Sequence, residues 1–352
     1  MAEGSPSLLL VADTAAPEAL GSKLLAAARQ LGLDPPVAYS SPAPHWSPSM
    51  RRRRGKVFYR LADRRSWEWW GFQRQLLALV EATAPRLVLV TGILPLQTAV
   101  FSAVQARGGR VVNLLTDDPW NPIHRRRCFL ANLRHYDHIF STKEALGARL
   151  EAAGCPSTSW LPFAHHPPLH RPPQPVTAAD RGRWGCDLVF VGTGAGERLP
   201  WLAAAAAAAG GAADCRLHGN DWRGLATPGW RQGAEVLGDD YCRAIYHARV
   251  VLGLLRQANG DTCTDRSFEI GAIGGCGLYQ DSPVHRALLP GYPDVGFFRD
   301  PAELERHTRV LLGDGALRQR LRELGAQSLR QHRHSYTARL EAILAWADSL
   351  PR

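Results

Sequence analysis

The sequence lacks the cysteine patterns that define disulfide scaffolds and zinc sites. Seven cysteines stand at 128, 155, 186, 215, 242, 263 and 276 of 352 residues, and no two form a C-x-x-C pair. This spacing argues against a disulfide framework and indicates a reducing, cytoplasmic environment. Thirteen histidines do not supply a metal site either, because the adjacent His165 and His166 lie in a Pro-rich segment rather than at ligand spacing on a helix. We therefore expect no metal and no other cofactor.

Long hydrophobic runs are also scarce, which argues against a membrane span. The apolar run LLLVA near the start has no basic residue before it, so we expect a core strand there rather than a signal peptide. The longest uncharged stretch, Leu87 to Val104, is divided by Gly92 and Pro95. It predicts a buried strand, a turn and an amphipathic helix.

Positive charge is plentiful but confined to one region. The net charge is +10, yet residues 51–150 alone hold 18 Lys and Arg against 7 Asp and Glu, a net of +11. The densest points are RRRR at 51–54 and HRRR at 124–127, and tryptophans stand nearby at 46, 67, 69 and 70. Basic clusters beside tryptophans suit an anionic membrane surface or an anionic acceptor, and nucleic acid is a further possibility. The alternative is an Arg-rich face that is merely solvated.

Strand and helix patterns alternate in both halves of the chain. The first half has strand signals at LLLVAD, LVLVTG, VVNLLTDD and HIFST, and the second at CDLVFVG, CRLHGN, VVLGLL and CGLYQD. This alternation predicts an α/β fold with two Rossmann-like parallel-sheet domains facing a cleft. We expect domains at 1–165 and 185–334, a proline-rich linker at 166–184, and a C-terminal helix in 335–352 that packs back on the first domain.

A glycine-rich turn follows the first strand of the second half. In VFVGTGAGERLPWL, the backbone N–H groups of Gly192, Thr193 and Gly194 are suited to an anionic phosphate. It is not a dinucleotide fingerprint, because position 197 is Glu, and it lacks the P-loop lysine. Arg198 could pair with a diphosphate or could simply be a solvated residue at a helix start.

The stretch TDRSFEIGAIGGCGLYQD, residues 264–281, combines a polar helix start with a glycine cluster. If a helix begins here, its free N–H groups, Asp265 and Ser267 face the ligand, and Arg266 adds a fixed cation for a phosphate. Glu269, one turn further along, can then accept both hydroxyls of a ribose. The alternative is an Arg266–Glu269 surface ion pair, which would contribute little.

These residues resemble the CgeB-like (spore-maturation protein) glycosyltransferases. The resemblance rests on TDRSFEIGAIGGCGLYQD, FFRDPAELERHTRVLLGD and HSYTARLEAIL, with LLTDDPWN and YDHIFSTKEALGARLEAAGC in the first half, and it covers about Pro85 to Leu344. It implies a GT-B architecture with a nucleotide-sugar donor held mainly by the second domain. By this resemblance Glu269 takes the ribose position, Arg266 lies near the donor phosphates, and His218, Gly219 and Asn220 lie near the base.

The chain departs from the family pattern at two places. Relatives with an E-x7-E motif have an earlier Glu on the donor sugar, which would fall near Asp261 or Thr262 here, so sugar contacts cannot be transferred. The first seventy residues also lack the Gly-rich opening loop common in GT-B folds, so the acceptor side stays undefined.

Two adjacent carboxylates are the best acid–base candidates. In TDDPW, Asp117 and Asp118 follow a predicted strand and precede a proline that halts it. An inverting transfer needs such a base to deprotonate the acceptor hydroxyl, whereas a retaining transfer does not. The competing interpretation is that either Asp caps the next turn.

The sequence therefore predicts a cytoplasmic, metal-independent glycosyltransferase that uses a nucleotide-diphospho-sugar and an unidentified acceptor, which is anionic or membrane-associated. A peripheral position at the inner face of the membrane is part of this hypothesis. The alternatives are a nucleotide-sugar epimerase on the same fold and a non-catalytic nucleotide-sugar-binding protein. A nucleic-acid-binding module is a third alternative, but no recognisable motif supports it.

Overall fold

The computed structural model describes residues 8–39, 48–331 and 333–349. The chain divides into two compact units, of which unit 1 comprises Met1–Pro162 with Tyr336–Arg352 and unit 2 comprises Phe163–Ser335. The segment predicted as a linker, 166–184, thus belongs to unit 2. Of the tryptophans noted beside the basic clusters, Trp46 lies outside the described residues.

Unit 1 contains a six-stranded parallel sheet. Its strands are β1 (Leu8–Ala12), β2 (Val37–Tyr39), β3 (Leu87–Thr91), β4 (Arg110–Leu115), β5 (His138–Ser141) and β6 (Thr158–Trp160). They run in the order β2-β1-β3-β4-β5-β6, and every neighbouring pair is parallel. The central strands are nearly continuous runs of buried Val and Leu, as expected for a sheet covered on both faces.

Six helices connect these strands. They are α1 (Leu20–Gln30), α2 (Arg53–Leu61), α3 (Glu68–Thr83), α4 (Thr98–Gln105), α5 (Arg127–Ala131) and α6 (Gly147–Ala152). The uncharged stretch Leu87 to Val104 forms β3, a turn and α4, as predicted. Among the described residues, no helix is long and apolar enough to cross a membrane.

Unit 2 contains the second parallel sheet. Its strands are β7 (Cys186–Val191), β8 (Cys215–His218), β9 (Arg231–Gly233), β10 (Ala248–Gly253), β11 (Gly277–Gln280) and β12 (Phe297–Phe298), in the order β12-β11-β10-β7-β8-β9. Its helices are α7 (Ala178–Trp184), α8 (Leu199–Ala209), α9 (Gly238–His247), α10 (Asp265–Ile273), α11 (Pro283–Leu288), α12 (Pro301–Gly313) and α13 (Gly315–Gln331). Two six-stranded parallel sheets with connecting helices confirm the predicted α/β class.

The start of unit 2 differs from the sequence expectation, whereas the last helix lies where it is expected from the sequence. The last residues of the predicted linker form α7, because Thr177 caps that helix by accepting the Asp180 N–H at 3.0 Å. The last helix of the chain, α14 (Tyr336–Asp348), belongs to unit 1, where it packs against α1. There the Trp346 ring lies 4.6 Å from the ring of His138 on β5.

Candidate functional site

The carboxyl ends of the unit-2 strands place three sequence-distant loops at one edge of the sheet. The loops after β7 and β8 are joined by backbone hydrogen bonds, from the Gly192 N–H to the His218 carbonyl at 2.8 Å and from the Gly194 N–H to the Asn220 carbonyl at 2.7 Å. The loop after β10 leads into α10. We call residues 192–198, 219–222 and 254–269 the carboxyl edge of unit 2. Ligands of open parallel sheets bind at such an edge.

Two glycines let the loops after β7 and β8 pack backbone against backbone. A Cβ on Gly219, whose φ is +139°, would lie 2.2 Å from the Gly192 carbonyl oxygen. A Cβ on Gly194 would lie 2.4 Å from the Asp221 carbonyl oxygen. The Trp222 indole N–H also donates to the Gly192 carbonyl at 2.9 Å. Glycine is therefore required at both positions for packing, whatever ligand the loops meet.

Arg198 is a buried cation at this edge. Its side chain lies over the Phe190 ring, with 5.1 Å between Cζ and the ring centroid, and donates to the Thr193 carbonyl. Burial, together with the positive charges of Arg256 and Arg266, lowers the pKa of Arg198 to about 10, although the carboxylates of Glu197 and Asp261 act in the opposite direction. The Nε atoms of Arg198 and Arg256 are buried and have no hydrogen-bond partner among the described residues. This cation is held at a cost that a bound anion would offset.

Helix α10 begins with a capping box that uses the Ser267 hydroxyl. The Thr264 side chain accepts the Ser267 N–H, and Ser267 Oγ accepts the Thr264 N–H at 2.9 Å. Ser267 is only 2% exposed, and its Oγ also lies 2.6 Å from Nε2 of His285. The structure therefore gives Ser267 a structural role in the cap, in place of the phosphate contact expected from sequence. Asp265 and Arg266 form the first turn of the helix.

His285 supports this cap as a neutral imidazole in a single tautomer. Its Nδ1 lies 2.7 Å from the Gln280 carbonyl, which can only accept, so Nδ1 carries the proton and Nε2 accepts from the Ser267 hydroxyl. Burial lowers the pKa of His285 to about 4. The imidazole is thus neutral near pH 7 and locks the start of α10 to the end of β11.

Glu269 is the centre of a buried polar cluster. Its carboxylate is 1% exposed and accepts from the Tyr241 hydroxyl at 2.9 Å and from the Arg266 guanidinium. On its other oxygen, His170 Nε2 lies at 3.2 Å. Because the His166 N–H donates to His170 Nδ1, neutral His170 carries its proton on Nε2 and donates to Glu269. The Arg266–Glu269 pair is thus no surface ion pair, and the alternative of a solvated contact is wrong.

Arg266 links this cluster to the edge of the sheet. Its Nε donates to the Val191 carbonyl at 3.1 Å, and its guanidinium lies 4.7 Å from the Tyr241 ring centroid. Burial alone would lower its pKa, but the interactions with Tyr241 and with the Glu269 carboxylate outweigh burial and raise it. About a third of the side chain stays exposed. Arg266 is therefore a fixed, permanently charged group beside the Gly192–Gly194 loop.

His218 and Asn220 stand at the end of β8. The His218 Nδ1 lies 3.0 Å from the Ala234 carbonyl, so Nδ1 is protonated and Nε2 is an acceptor. His218 Nε2 is buried and has no partner among the described residues, and burial lowers its pKa. Asn220 is exposed and contributes a carbonyl to the Gly194 turn.

The two candidate bases of unit 1 have different surroundings at the end of β4. Asp118 accepts the Trp120 N–H at 2.8 Å, which is the turn-capping contact considered from sequence. Asp117 is a third exposed, accepts from the Thr116 hydroxyl at 3.0 Å, and lies 3.7 Å from His124 Nε2. Asp117 is therefore the better placed carboxylate for proton transfer. His124 was not singled out from sequence, although it stands in HRRR at 124–127.

The part of the chain that the structure describes contains neither a metal-binding cluster nor an activated cysteine. No group of three or more His, Cys, Asp or Glu side chains is arranged to hold a metal ion there. All seven cysteines are free thiols, and burial raises the pKa of Cys155 to about 11 and that of Cys186 to about 12. Such thiols are poor nucleophiles near neutral pH.

Comparison with known proteins gives one family match. Residues 198–345 match the family model described as glycosyl transferase-like. The matched region begins at Arg198 and includes the loop after β8 and the whole of α10. No curated protein matches the sequence.

Solved structures establish the fold class. The chain is similar to HepE of Anabaena in complex with UDP-glucose, at 10% identity and a TM-score of 0.65 over 98% of this chain and 100% of that one. It is similar to sucrose-phosphate synthase of Thermosynechococcus elongatus, at 13% identity and 0.64 over 97% and 98%. It is also similar to T4 phage BGT in complex with its UDP-glucose substrate, at 13% and 0.57 over 97% and 99%. The chain therefore has the GT-B fold, with two Rossmann-like parallel-sheet domains.

Several residues of the site were not predicted from sequence. Tyr241 and His170 meet Glu269 from positions 28 and 99 residues away, and no local pattern signals such contacts. Arg256 follows β10 directly, and the rule that ligand groups follow parallel strands could have identified it. His285 follows the proline of α11, but its bond to Ser267 is visible only in three dimensions.

Proposed function

We propose that the protein transfers a sugar from a nucleoside-diphospho-sugar to an acceptor hydroxyl, and that unit 2 holds the donor. The observation that carries this proposal is the convergence of Arg198, Arg256 and Arg266 on the carboxyl edge of unit 2. Burial and the positive charges of Arg256 and Arg266 lower the pKa of Arg198, and an anionic ligand would offset both effects. A diphosphate fits the three cations and the first turn of α10. The UDP-glucose in the structures of HepE and T4 phage BGT supports a donor of this class.

The cations also support a transfer that needs no metal. In phosphate chemistry, a divalent ion or fixed guanidinium groups can neutralise the charge of a departing diphosphate. We propose that Arg198 and Arg266 perform this role, together with the backbone N–H groups in the first turn of α10. We propose further that the donor sugar is a hexose or a related sugar, and that the protein acts as the CgeB-like enzymes that its sequence resembles.

Glu269 can have either of two roles at this site, and the two roles predict different effects of the ribose hydroxyls on binding. As the ribose ligand, it would exchange the Arg266 bond for the two ribose hydroxyls when the donor binds. As a positioning residue, it would keep Arg266 aimed at the diphosphate. We propose the ribose role, by the resemblance to the family, with His218 Nε2 as an acceptor for an N–H of the base.

The acceptor side of the reaction is proposed for unit 1. Asp117, a third exposed beside His124 at the end of β4, would deprotonate the acceptor hydroxyl in an inverting transfer. The concentration of positive charge in residues 51–150 favours an acceptor that is anionic or held at a membrane. We propose that the protein works in the cytoplasm, at the inner face of the membrane.

The test is release of free nucleoside diphosphate from a panel of nucleotide-sugars, with and without candidate acceptors, in the parent protein and in Arg266→Met. Release that depends on an acceptor and is lost in Arg266→Met supports the proposal. Isomerisation of the donor sugar without acceptor would identify an epimerase instead. Tight binding of a donor with no turnover under any condition would identify a non-catalytic binding protein.

A further inference from the structure

The region of unit 1 from Pro48 to Trp70 exposes apolar side chains in a strongly basic setting. Four large hydrophobic residues are open to solvent there: Val57 at 49%, Leu61 at 83%, Trp67 at 47% and Trp70 at 36%. The same segment holds eight Lys and Arg against two acidic residues. We call residues 48–70 the basic aromatic surface. A face that is both apolar and basic is unusual for a solvated surface.

Helical geometry places the apolar residues of α2 in the middle of the basic ones. Val57 and Leu61 are four residues apart and lie on one face. At 100° per residue, Arg53 and Arg60 flank them on one side and Arg54 flanks them on the other. The opposite face carries Gly55, which packs so closely on the turn before α2 that a Cβ there would lie 1.9 Å from the Ser49 carbonyl oxygen. The exposed face of α2 is therefore fixed outward.

Both acidic residues of this surface are engaged with backbone groups. Asp63 accepts the N–H groups of Arg127 and Cys128 at 2.7 and 2.8 Å. Glu68 accepts the N–H of Ser49 at 2.7 Å and its hydroxyl at 2.6 Å. Their negative charge thus serves the local fold, and the outward charge of the surface is positive.

The basic aromatic surface also includes two tryptophans and a nearby cavity. The Phe58 ring lies 5.5 Å from that of Trp67 and 5.6 Å from that of Trp70, so α2 and the start of α3 form one aromatic platform. A cavity of about 620 Å³ beside α2 is lined by Met50, Lys56, Tyr59, Arg60, Arg64 and Ile123. It combines cations with apolar walls, as a lipid phosphate group and its glycerol backbone require.

We propose that the basic aromatic surface docks the protein on an anionic lipid bilayer, with Val57, Leu61 and Trp67 inserted at the headgroup boundary. Exposed aliphatic and tryptophan side chains distinguish a bilayer from a nucleic acid, which would need the charges but not Leu61. The role is separate from the donor chemistry of unit 2, since it requires only contact with lipid.

The test is co-sedimentation of the full chain with vesicles of equal parts phosphatidylcholine and phosphatidylglycerol, beside vesicles of phosphatidylcholine alone. We expect binding to the anionic vesicles only. Removing Arg53 and Arg54 as Arg→Gln should weaken it roughly thirtyfold, at about fivefold for each cation. The double variant Val57→Ser, Leu61→Ser should weaken it by roughly tenfold or more.

Matched variants in unit 2 serve as controls, because they remove equivalent side chains elsewhere. Leu237→Ser with Val310→Ser removes the same two residue types, which are about half exposed at 50% and 47%. Arg320→Gln with Arg330→Gln removes two exposed cations of α13. Both should bind vesicles as the parent does. Equal loss in these controls, or full binding by the Val57/Leu61 variant, would leave only diffuse electrostatic attraction and overturn the proposal.

Fluorescence provides a second readout that does not depend on removing α2 residues. Brominated lipids should quench the parent protein, and Trp67→Phe with Trp70→Phe should lose most of that quenching. Absence of vesicle binding by the parent at low salt overturns the proposal outright. Binding of a single-stranded oligonucleotide in its place would assign the surface to nucleic acid.

Discussion

Replacing Arg198 by methionine removes a buried charge while keeping a side chain of similar length. In the native state, burial and neighbouring cations lower the pKa of Arg198 from 12.5 to about 10, which disfavours the charged form by about 3 kcal/mol. Against this stands one bond to the Thr193 carbonyl, of about 1.5 to 3 kcal/mol for a charged donor. Without ligand, Arg198→Met should therefore be as stable as the parent or up to about 2 kcal/mol more stable.

The same substitution should weaken binding of a nucleoside diphosphate. Loss of one charge-assisted contact of about 1.5 to 3 kcal/mol corresponds to roughly 10- to 150-fold in affinity. Thermal unfolding without ligand and titration calorimetry with the preferred nucleoside diphosphate measure the two effects on one preparation. A variant that is clearly less stable and binds as tightly as the parent would refute the reasoning.

Arg216, also in unit 2, provides a control for which the expected change in stability has the opposite sign. Arg216 is paired with Asp214 at 2.6 Å, and that hydrogen bond raises the pKa of Arg216. Arg216→Met should lower stability, because Asp214 keeps only its contact with Arg231, at 2.7 Å. Nucleoside diphosphate binding should be unchanged, since the pair lies away from the carboxyl edge of unit 2.

Three further predictions concern the remaining groups. Glu269→Ala should weaken binding of a nucleoside diphosphate by about 1.5 to 3 kcal/mol and weaken binding of its 2′-deoxy counterpart, which keeps only one of the two hydroxyls, by clearly less, as measured by calorimetry. Asp117→Asn should lower turnover by about a hundred- to ten-thousand-fold in steady-state assays, and Asp118→Asn should lower it far less. The pKa of His285 is about 4 in the folded protein and about 6.5 in the unfolded chain, so the unfolded chain binds the proton first as the pH falls. The free energy of unfolding, measured with denaturant, should therefore decrease by about 3 kcal/mol between pH 6.5 and pH 4.

Each of these has an outcome that contradicts it. Equal loss of the ribose and deoxyribose ligands in Glu269→Ala would make Glu269 a positioning residue for Arg266. Full turnover in Asp117→Asn would favour a retaining or substrate-assisted route. For His285, the comparison variant is His285→Asn, which should remove the pH-dependent part of the loss, and an unchanged pH profile in that variant would reject the assignment.

Helix boundaries that carry strong local signals were predictable from the sequence. Helices α8 and α12 carry such signals, because each has a proline in its first turn and a glycine at its end. The signal at the start of α10 is weaker, since its cap is a Thr264–Ser267 pair without the usual Glu or Gln. Its end at Gly274, with φ of +88°, follows the predicted glycine rule.

Short edge strands and long-range contacts were not predictable in the same way. Strands β2, β9 and β12 have two or three residues each, too few for a periodic pattern. The partners of Glu269 come from α9 and from the proline-rich segment, so its burial depends on tertiary packing. The sequence placed Arg266 and Glu269 on one helical face, and only the structure shows that this face is buried.

Binding of a nucleoside diphosphate by the full chain tests the central claim most directly. A thermal-shift screen with UDP, GDP, dTDP and CDP should identify one that stabilises the protein, by about 2.7 kcal/mol at a hundred times its dissociation constant. We predict that this stabilisation is lost in Arg198→Met and Arg266→Met and retained in Arg216→Met. If no nucleoside diphosphate stabilises the parent protein, or if the three variants respond alike, unit 2 does not hold the donor at its carboxyl edge.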